Sequence, residues 1–291
     1  MNILIVGGTG TIGTHLVHSL SKQDCKIFLL SRNPKKYHKK FDQNISLISW
    51  NTNNSNLLKD IDIVVKLSGE SVLKFWTKKI KKKILSSRAN ITKDLRNFLE
   101  INDIKPKVII NASAVGYYAK NDAIYNGSVD EFSSSGDTFL ADVCKTNEES
   151  CDIFTKDEIR VVNLRIGLVL TKEFYNLIKF TPHMGAKNNF FPWIHIDDVV
   201  GFIEFSMIND IKGPFNLVGP NPTTHKEFNS VVIPIRFLRN IIPMTEMLLY
   251  GYKTIPKRTL ESGFNLNLST LKMLFPVLRN NRNILENINN F

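Results

Sequence analysis

Short runs of consecutive apolar residues recur along the chain, separated by stretches in which apolar residues return every third or fourth position. Ile3 to Val6 is one such run, Thr11 to Ser21 sets Ile12, Leu16, Val17 and Leu20 at helical spacing, and Lys26 to Leu30 is apolar again, giving β-α-β in about 30 residues. Further buried-strand candidates follow at Ile45 to Ile48, Ile61 to Leu67, Lys107 to Asn111 and Arg160 to Leu164. Helix-length segments such as Phe75 to Ile101 and Thr138 to Thr155 lie between them. This alternation predicts an α/β fold with a doubly wound parallel sheet.

After about Leu170 the pattern becomes less regular, and Pro182, Pro192, Pro214, Pro220, Pro222, Pro234, Pro243 and Pro256 punctuate shorter elements. The expected organisation is therefore a large sheet domain over residues 1–170, its sheet completed by parts of 193–220, and a smaller lobe over 171–291. Only the tail Arg279 to Phe291 approaches low complexity, and no internal repeat is present.

Gly7-Gly8-Thr9-Gly10-Thr11-Ile12-Gly13 falls between the first strand candidate and the first helix candidate. A diphosphate needs backbone N–H groups at a helix N-terminus, and glycine at the approach positions removes the Cβ that would hold it off. The second strand ends Leu30-Ser31-Arg32-Asn33-Pro34-Lys35-Lys36. A dinucleotide site with NAD preference usually carries a carboxylate there for the ribose hydroxyls, whereas a guanidinium suits the extra phosphate of NADP(H). A solvated basic turn in a basic protein is the plainer reading of the same residues.

Composition narrows the class. The 291 residues are 43% hydrophobic and 22% charged, close to a globular average, so disorder and collagen-like repeats are excluded. The net charge of +11 favours anionic ligands without choosing among nucleotides, phosphorylated substrates and nucleic acid. Cys25, Cys144 and Cys151 are an odd set without metal-ligand spacing, no secretory leader precedes them, and no apolar run reaches membrane-spanning length. A soluble, cytoplasmic protein without a metal site is expected.

With the glycine turn in hand, the chain resembles the extended short-chain dehydrogenase/reductase superfamily. Further segments carry the resemblance to its atypical epimerase-family branch: Leu67-Ser68-Gly69-Glu70, Trp76-Thr77 with Ser87-Arg88 and Thr92, Ser113 to Tyr118, Leu164-Arg165-x-Gly167-x-Val169-Leu170, Trp193 to Asp198, and Asn216 to Pro222. Arg258 and Gly263-Phe264 resemble that branch's small carboxy-terminal domain of unknown function. The resemblance implies a Rossmann fold of extended type, an NADP(H) cofactor, and reduction, or epimerisation through transient oxidation, of an unidentified small substrate.

The residues divide accordingly. Gly7, Gly10, Thr11, Ile12 and Gly13 would hold the diphosphate, Ser31 and Arg32 the 2′-phosphate end, and Leu67, Gly69 and Glu70 the ribose side. Ser113 and Tyr117 would act at the reacting oxygen, and Arg88, Tyr118, Trp193 and His195 would line the substrate. An ordinary strand-to-helix turn also accounts for Ser68-Gly69, and a tyrosine after a strand is as often a packing residue. Standard superfamily members carry Tyr-x-x-x-Lys on the next helix, the ammonium lowering the tyrosine pKa. Here that helix reads Asp137-Thr138-Phe139-Leu140-Ala141-Asp142-Val143-Cys144-Lys145, and neither Phe139 with Val143 nor Leu140 with Cys144 supplies the pair. The resembled branch shares this lack.

Three departures from the branch concern the substrate region. Leu170 to Trp193 is shorter than usual and lacks a Gly-rich stretch, Asn147 stands where tryptophan is usual, and Ala119 replaces a glycine. The missing Tyr-x-x-x-Lys pair and the shortened Leu170 to Trp193 segment favour a rival reading, a non-catalytic nucleotide-binding regulatory or interaction protein, whereas the glycine turn with Ser113 favours the enzyme. The basic run Lys74 to Lys83 reads as a solvated helix face rather than a nucleic-acid site, since its lysines bracket Ile80 and Ile84 at helical spacing. Trp193 to Asp198 reads as strand into helix with Asp197 or Asp198 as N-cap, His195 also being able to titrate as an acid or base.

Overall fold

A computed structural model describes residues 1–42, 45–70, 72, 76–119, 127–178, 189–232 and 252–267. Lys74, Phe75, Pro182, Pro234, Pro243 and the tail from Arg279 lie outside the described residues. The strands are β1 (Asn2–Val6), β2 (Lys26–Ser31), β3 (Ile45–Ser49), β4 (Ile63–Lys66), β5 (Val108–Ala114), β6 (Ser128–Val129), β7 (Arg160–Ile166), β8 (Leu168–Leu170), β9 (Trp193–His195), β10 (Gly213–Leu217) and β11 (Lys253–Thr254). The helices are α1 (Thr11–Leu20), α2 (Ser55–Leu58), α3 (Lys78–Ile101), α4 (Phe139–Glu149), α5 (Asp152–Thr155), α6 (Lys172–Ile178), α7 (Ile196–Ile208), α8 (His225–Val232) and α9 (Lys257–Glu261).

Seven strands form one parallel sheet in the order β10-β7-β5-β4-β1-β2-β3. The apolar runs are continuous because both faces are covered. Ile3 and Ile5 of β1 enter one core with Leu16 and Leu20 of α1 and Val199, Phe202 and Ile203 of α7. Leu4 and Val6 enter the other with Leu95, Phe98 and Leu99 of α3 and Phe154 of α5. The strand order reverses between β1 and β4, so the turns leaving these two strands lie side by side, where ligands of open α/β sheets bind.

Two helix boundaries differ from the sequence expectation. Thr138 to Thr155 is two helices, not one: α4 ends at Glu149 and α5 restarts at Asp152, with Cys151 as its N-cap. The helix after β9 begins at Ile196 with His195 as N-cap rather than either aspartate, because the imidazole Nδ1 accepts from the Asp197 N–H at 3.2 Å. The region after Leu170 rejoins the large sheet through α7 and β10, while two short pairs, β6 with β11 and β8 with β9, stand apart from it. Among the described residues no helix is long and apolar enough to cross a membrane.

Candidate functional site

The glycine turn connects β1 to α1 at the strand-order reversal. Gly7 has φ +90°, and a Cβ there would sit 2.8 Å from the Ser68 nitrogen, so this position accepts only glycine without strain. That approach brings the turns after β1 and β4 into contact. Gly13 is similarly enclosed: its Cβ would meet Gly8 Cα at 2.5 Å. Gly10 is different. It is the N-cap of α1, offers no side-chain cap, and a Cβ there would meet only the Gly7 carbonyl at 3.5 Å. The helix therefore starts with uncapped N–H groups facing open space, no acidic residue in the first turn, and the positive end of its dipole forward. Exposed Thr11 and half-buried Ile12 lie in this first turn.

Ser31 closes β2 and its Oγ accepts from the Asn33 N–H at 3.2 Å, while Arg32 is exposed beside it. The sequence reading missed Lys40. Its ammonium donates to the Thr9 carbonyl at 3.2 Å and to Thr14 Oγ1 at 3.0 Å, placing a cation from the β2–β3 connection against the glycine turn. The Gly69-Glu70 segment is tied to α3: the Glu70 N–H donates to Ser87 Oγ at 3.3 Å and Arg88 donates to the Glu70 carbonyl. A Cβ on Gly69 would collide with the Arg88 guanidinium at 2.8 Å. Leu67, one residue past β4, donates its N–H to the Val6 carbonyl at 2.8 Å and packs on the core.

Beyond the carboxyl ends of β5 and β7 opens a cavity of about 210 Å³. Its walls are mainly apolar, with Val72, Leu140, Val143, Ile166, Val169 and Phe191 among them, and Ser113, Arg88, Cys144 and Asn147 are its polar members. Leu140, Val143 and Cys144 of α4 face the cavity, whereas Phe139 packs edge-on against Trp76. Burial pushes the Cys144 thiol up to about 12, so it stays protonated at neutral pH.

Ser113 belongs to a buried network that also escaped the sequence reading. Its Oγ donates to Glu148 Oε1 at 2.7 Å, and Arg165 meets Glu148 through Nε to Oε1 at 3.0 Å and Nη2 to Oε2 at 2.8 Å. Arg165 Nη1 also donates to Tyr118 Oη at 2.8 Å, and Tyr118 donates to Asn216 Oδ1 at 2.8 Å. The Asn216 and Arg258 N–H groups both donate to Glu131, at 2.9 and 3.2 Å. Arg165 and Glu148 thus pair charge with charge, while the Glu131 carboxylate is held by backbone N–H groups. Beside this network, Lys66 is buried on β4 and donates to Asn111 and Asn147 Oδ1 at 2.9 and 2.8 Å. With amide rather than carboxylate partners, burial lowers its pKa. Asn147, the residue where the resembled branch has tryptophan, thus serves the lysine on one side and the cavity on the other.

Four residues expected at the reacting end lie elsewhere. Tyr117 is not among the cavity walls; its ring lies over the Arg165 guanidinium, 3.5 Å from the centroid. Tyr118 is buried within the network, and burial raises its pKa. Trp193 is fully buried with Nε1 donating to Thr223 Oγ1 at 3.2 Å, and buried His195 caps α7. Ser113 and Arg88 are the expected residues that the cavity brings together.

The parallel sheet, the glycine turn at its switch point and the cavity beyond β5 and β7 define a Rossmann-type protein of the short-chain dehydrogenase/reductase kind. The profile of the NAD dependent epimerase/dehydratase family matches residues 3–217, and the chain belongs to that family. Epimerase family protein SH2119 of Staphylococcus haemolyticus is 31% identical over 294 residues, covering 94% of this chain and 97% of that one. Epimerase family protein YfhF of Bacillus subtilis is 28% identical over 295 residues, covering 94% and 96%. The solved structure of human epimerase family protein SDR39U1 with NADPH superposes with a TM-score of 0.78 at 28% identity, covering 96% of this chain and all of that one. UDP-glucose 4-epimerase from Thermotoga maritima shares the fold at 15% identity and a TM-score of 0.76.

Proposed function

We propose that this protein binds NADP(H) and acts as an oxidoreductase or epimerase on a small substrate held in the cavity. The open, uncapped start of α1 at Gly10 carries this reading, because it leaves backbone donors and space where a diphosphate belongs. The human relative, solved with NADPH, supports the choice of nucleotide.

The residues present fit the group. Gly7, Gly10, Thr11, Ile12 and Gly13 hold the diphosphate with backbone N–H groups, Leu67, Gly69 and Glu70 flank the ribose, and Ser31 and Arg32, with Lys40, hold the 2′-phosphate. The dinucleotide supplies hydride donation and acceptance when bound. The chain's own part is to exclude water with the apolar cavity wall, to orient the substrate with Arg88, and to present Ser113 at the reacting oxygen.

Titration with NADPH, NADH and their oxidised forms, followed by nucleotide fluorescence and thermal stabilisation, tests this. The expected result is selective NADPH binding that Arg32→Ala weakens at least about tenfold; no binding by any form overturns it. The lack of a tyrosine–lysine pair in either register of α4 favours a second reading, a nucleotide-binding regulatory protein without catalysis. Stereospecific hydride transfer to a defined carbonyl separates the two.

A further inference from the structure

Of Arg165 and Arg88, only the first has a carboxylate partner. Arg165 spends its Nε and Nη2 on the two oxygens of Glu148, at 3.0 and 2.8 Å. Arg88 spends Nη1 alone, on the Glu70 carbonyl and on Ser87 Oγ. Its Nε–Nη2 edge, the edge with which Arg165 holds a carboxylate, makes no hydrogen bond among the described residues. The Glu70 carboxylate meets Lys83 Nζ at 3.6 Å, and among the described residues no carboxylate lies within ion-pair distance of Arg88. Burial lowers the Arg88 pKa, so this cation is kept at a desolvation cost that no contacting carboxylate offsets. Among the described residues lining the cavity, Arg88 alone is charged. Glu148 stands behind Ser113, but Arg165 neutralises it, and Lys66 stands behind Asn147 on amide oxygens, so neither supplies the missing counter-charge.

We propose that the cavity takes a small monocarboxylate with an apolar body, its two oxygens held on the Nε–Nη2 edge of Arg88. That such a molecule is the substrate rests on the reading of this cavity as the reacting end of the nucleotide site. Two coplanar oxygens fit the unbonded edge of a guanidinium as Glu148 fits Arg165. A dianion such as a phosphate ester calls for a second cation, and among the described residues none lines the cavity. The walls around Arg88 are mainly apolar and suit a hydrocarbon body. At about 210 Å³ the cavity is smaller than the about 300–1,000 Å³ usual for drug-sized ligands, so that body is short.

The test uses the full chain, with and without saturating NADPH, and two shape-matched pairs, isobutyrate with isobutyramide and cyclopentanecarboxylate with cyclopentanecarboxamide. Affinities are measured by ligand-observed NMR, and inorganic phosphate is titrated alongside. The wild type is expected to bind each carboxylate at least about tenfold more tightly than its amide, about 1.4 kcal/mol, with or without NADPH. Arg88→Gln brings the carboxylate down to the amide's affinity and leaves the amide within about twofold, with folding checked by thermal melting. Arg88→Lys keeps the charge without the two-pronged edge, so the preference falls to about threefold; if the glutamine variant does not fold, this one decides. Equal affinities in the wild type, no binding by either pair, or an intact preference in a folded Arg88 variant overturns the proposal. So does a preference that NADPH abolishes, which assigns Arg88 to the nucleotide's diphosphate, or phosphate bound through Arg88 more tightly than either carboxylate. Nucleotide binding without a carboxylate preference removes this inference alone, and a carboxylate preference without nucleotide affinity removes the nucleotide reading alone.

Discussion

Gly10 and Gly13, three positions apart in one turn, answer to different neighbours. The space beside Gly13 is filled by the turn's own backbone, while the space beside Gly10 is open. Gly13→Ala is therefore expected to destabilise the fold by about 1–3 kcal/mol through overpacking. Gly10→Val should change stability by only about 1 kcal/mol yet weaken NADPH binding by about a hundredfold or more. Thermal melts paired with nucleotide titration check both, and a Gly10→Val variant that binds normally would count against the diphosphate assignment. At this scale the glycines were legible because each type announces its backbone need. Glu148, Arg165 and Lys66 were not, because a charged residue in a sequence carries no sign of being buried, and its partners come from other strands and helices.

At the scale of elements, the start of α7 shows how a cap can make a helix sensitive to pH. His195 accepts from the Asp197 N–H through Nδ1, which requires a neutral imidazole. Burial lowers its pKa from the ordinary value, the largest influence, against the opposing Asp197 and Asp198 carboxylates and with His15. Below about pH 6.5 the unfolded chain thus binds the proton more readily than the folded one, and stability falls as pH falls toward the folded value, by at most about 1.4 kcal/mol per pH unit. His195→Asn keeps a capping acceptor that does not titrate. Urea unfolding from pH 7 to pH 5 should show the wild type losing stability faster than His195→Asn, and parallel slopes would refute the cap's role. The sequence pointed to the aspartates here because their side chains are the usual caps; a histidine takes their place through burial that the sequence does not display.

For the whole molecule, strand order and layering followed from the alternation of apolar runs and helical stretches, since a parallel sheet buried on both faces leaves that pattern in the chain. Beyond Leu170, α7 and β10 return to that sheet. The ties that close the molecule were also hidden. Arg258 reaches back to the Lys212 and Pro214 carbonyls at 2.7 and 2.8 Å, and stacks on Phe215. Glu131, from the segment before α4, receives one backbone N–H from β10 and one from α9.

That shared carboxylate has a kinetic consequence. The amides of Asn216 and Arg258 are distant in sequence, but a single displacement of Glu131 releases both. In native-state hydrogen exchange the two should open together, with matching protection and the same response to denaturant. Glu131→Gln presents one acceptor oxygen where the wild type has two, so it should split the pair and leave one amide exchanging faster than the other; independent opening in the wild type would show that the two amides are guarded separately. The carboxylate acts as a common latch, so the edge of the large sheet and the short helix beneath it come loose as one cooperative unit or not at all.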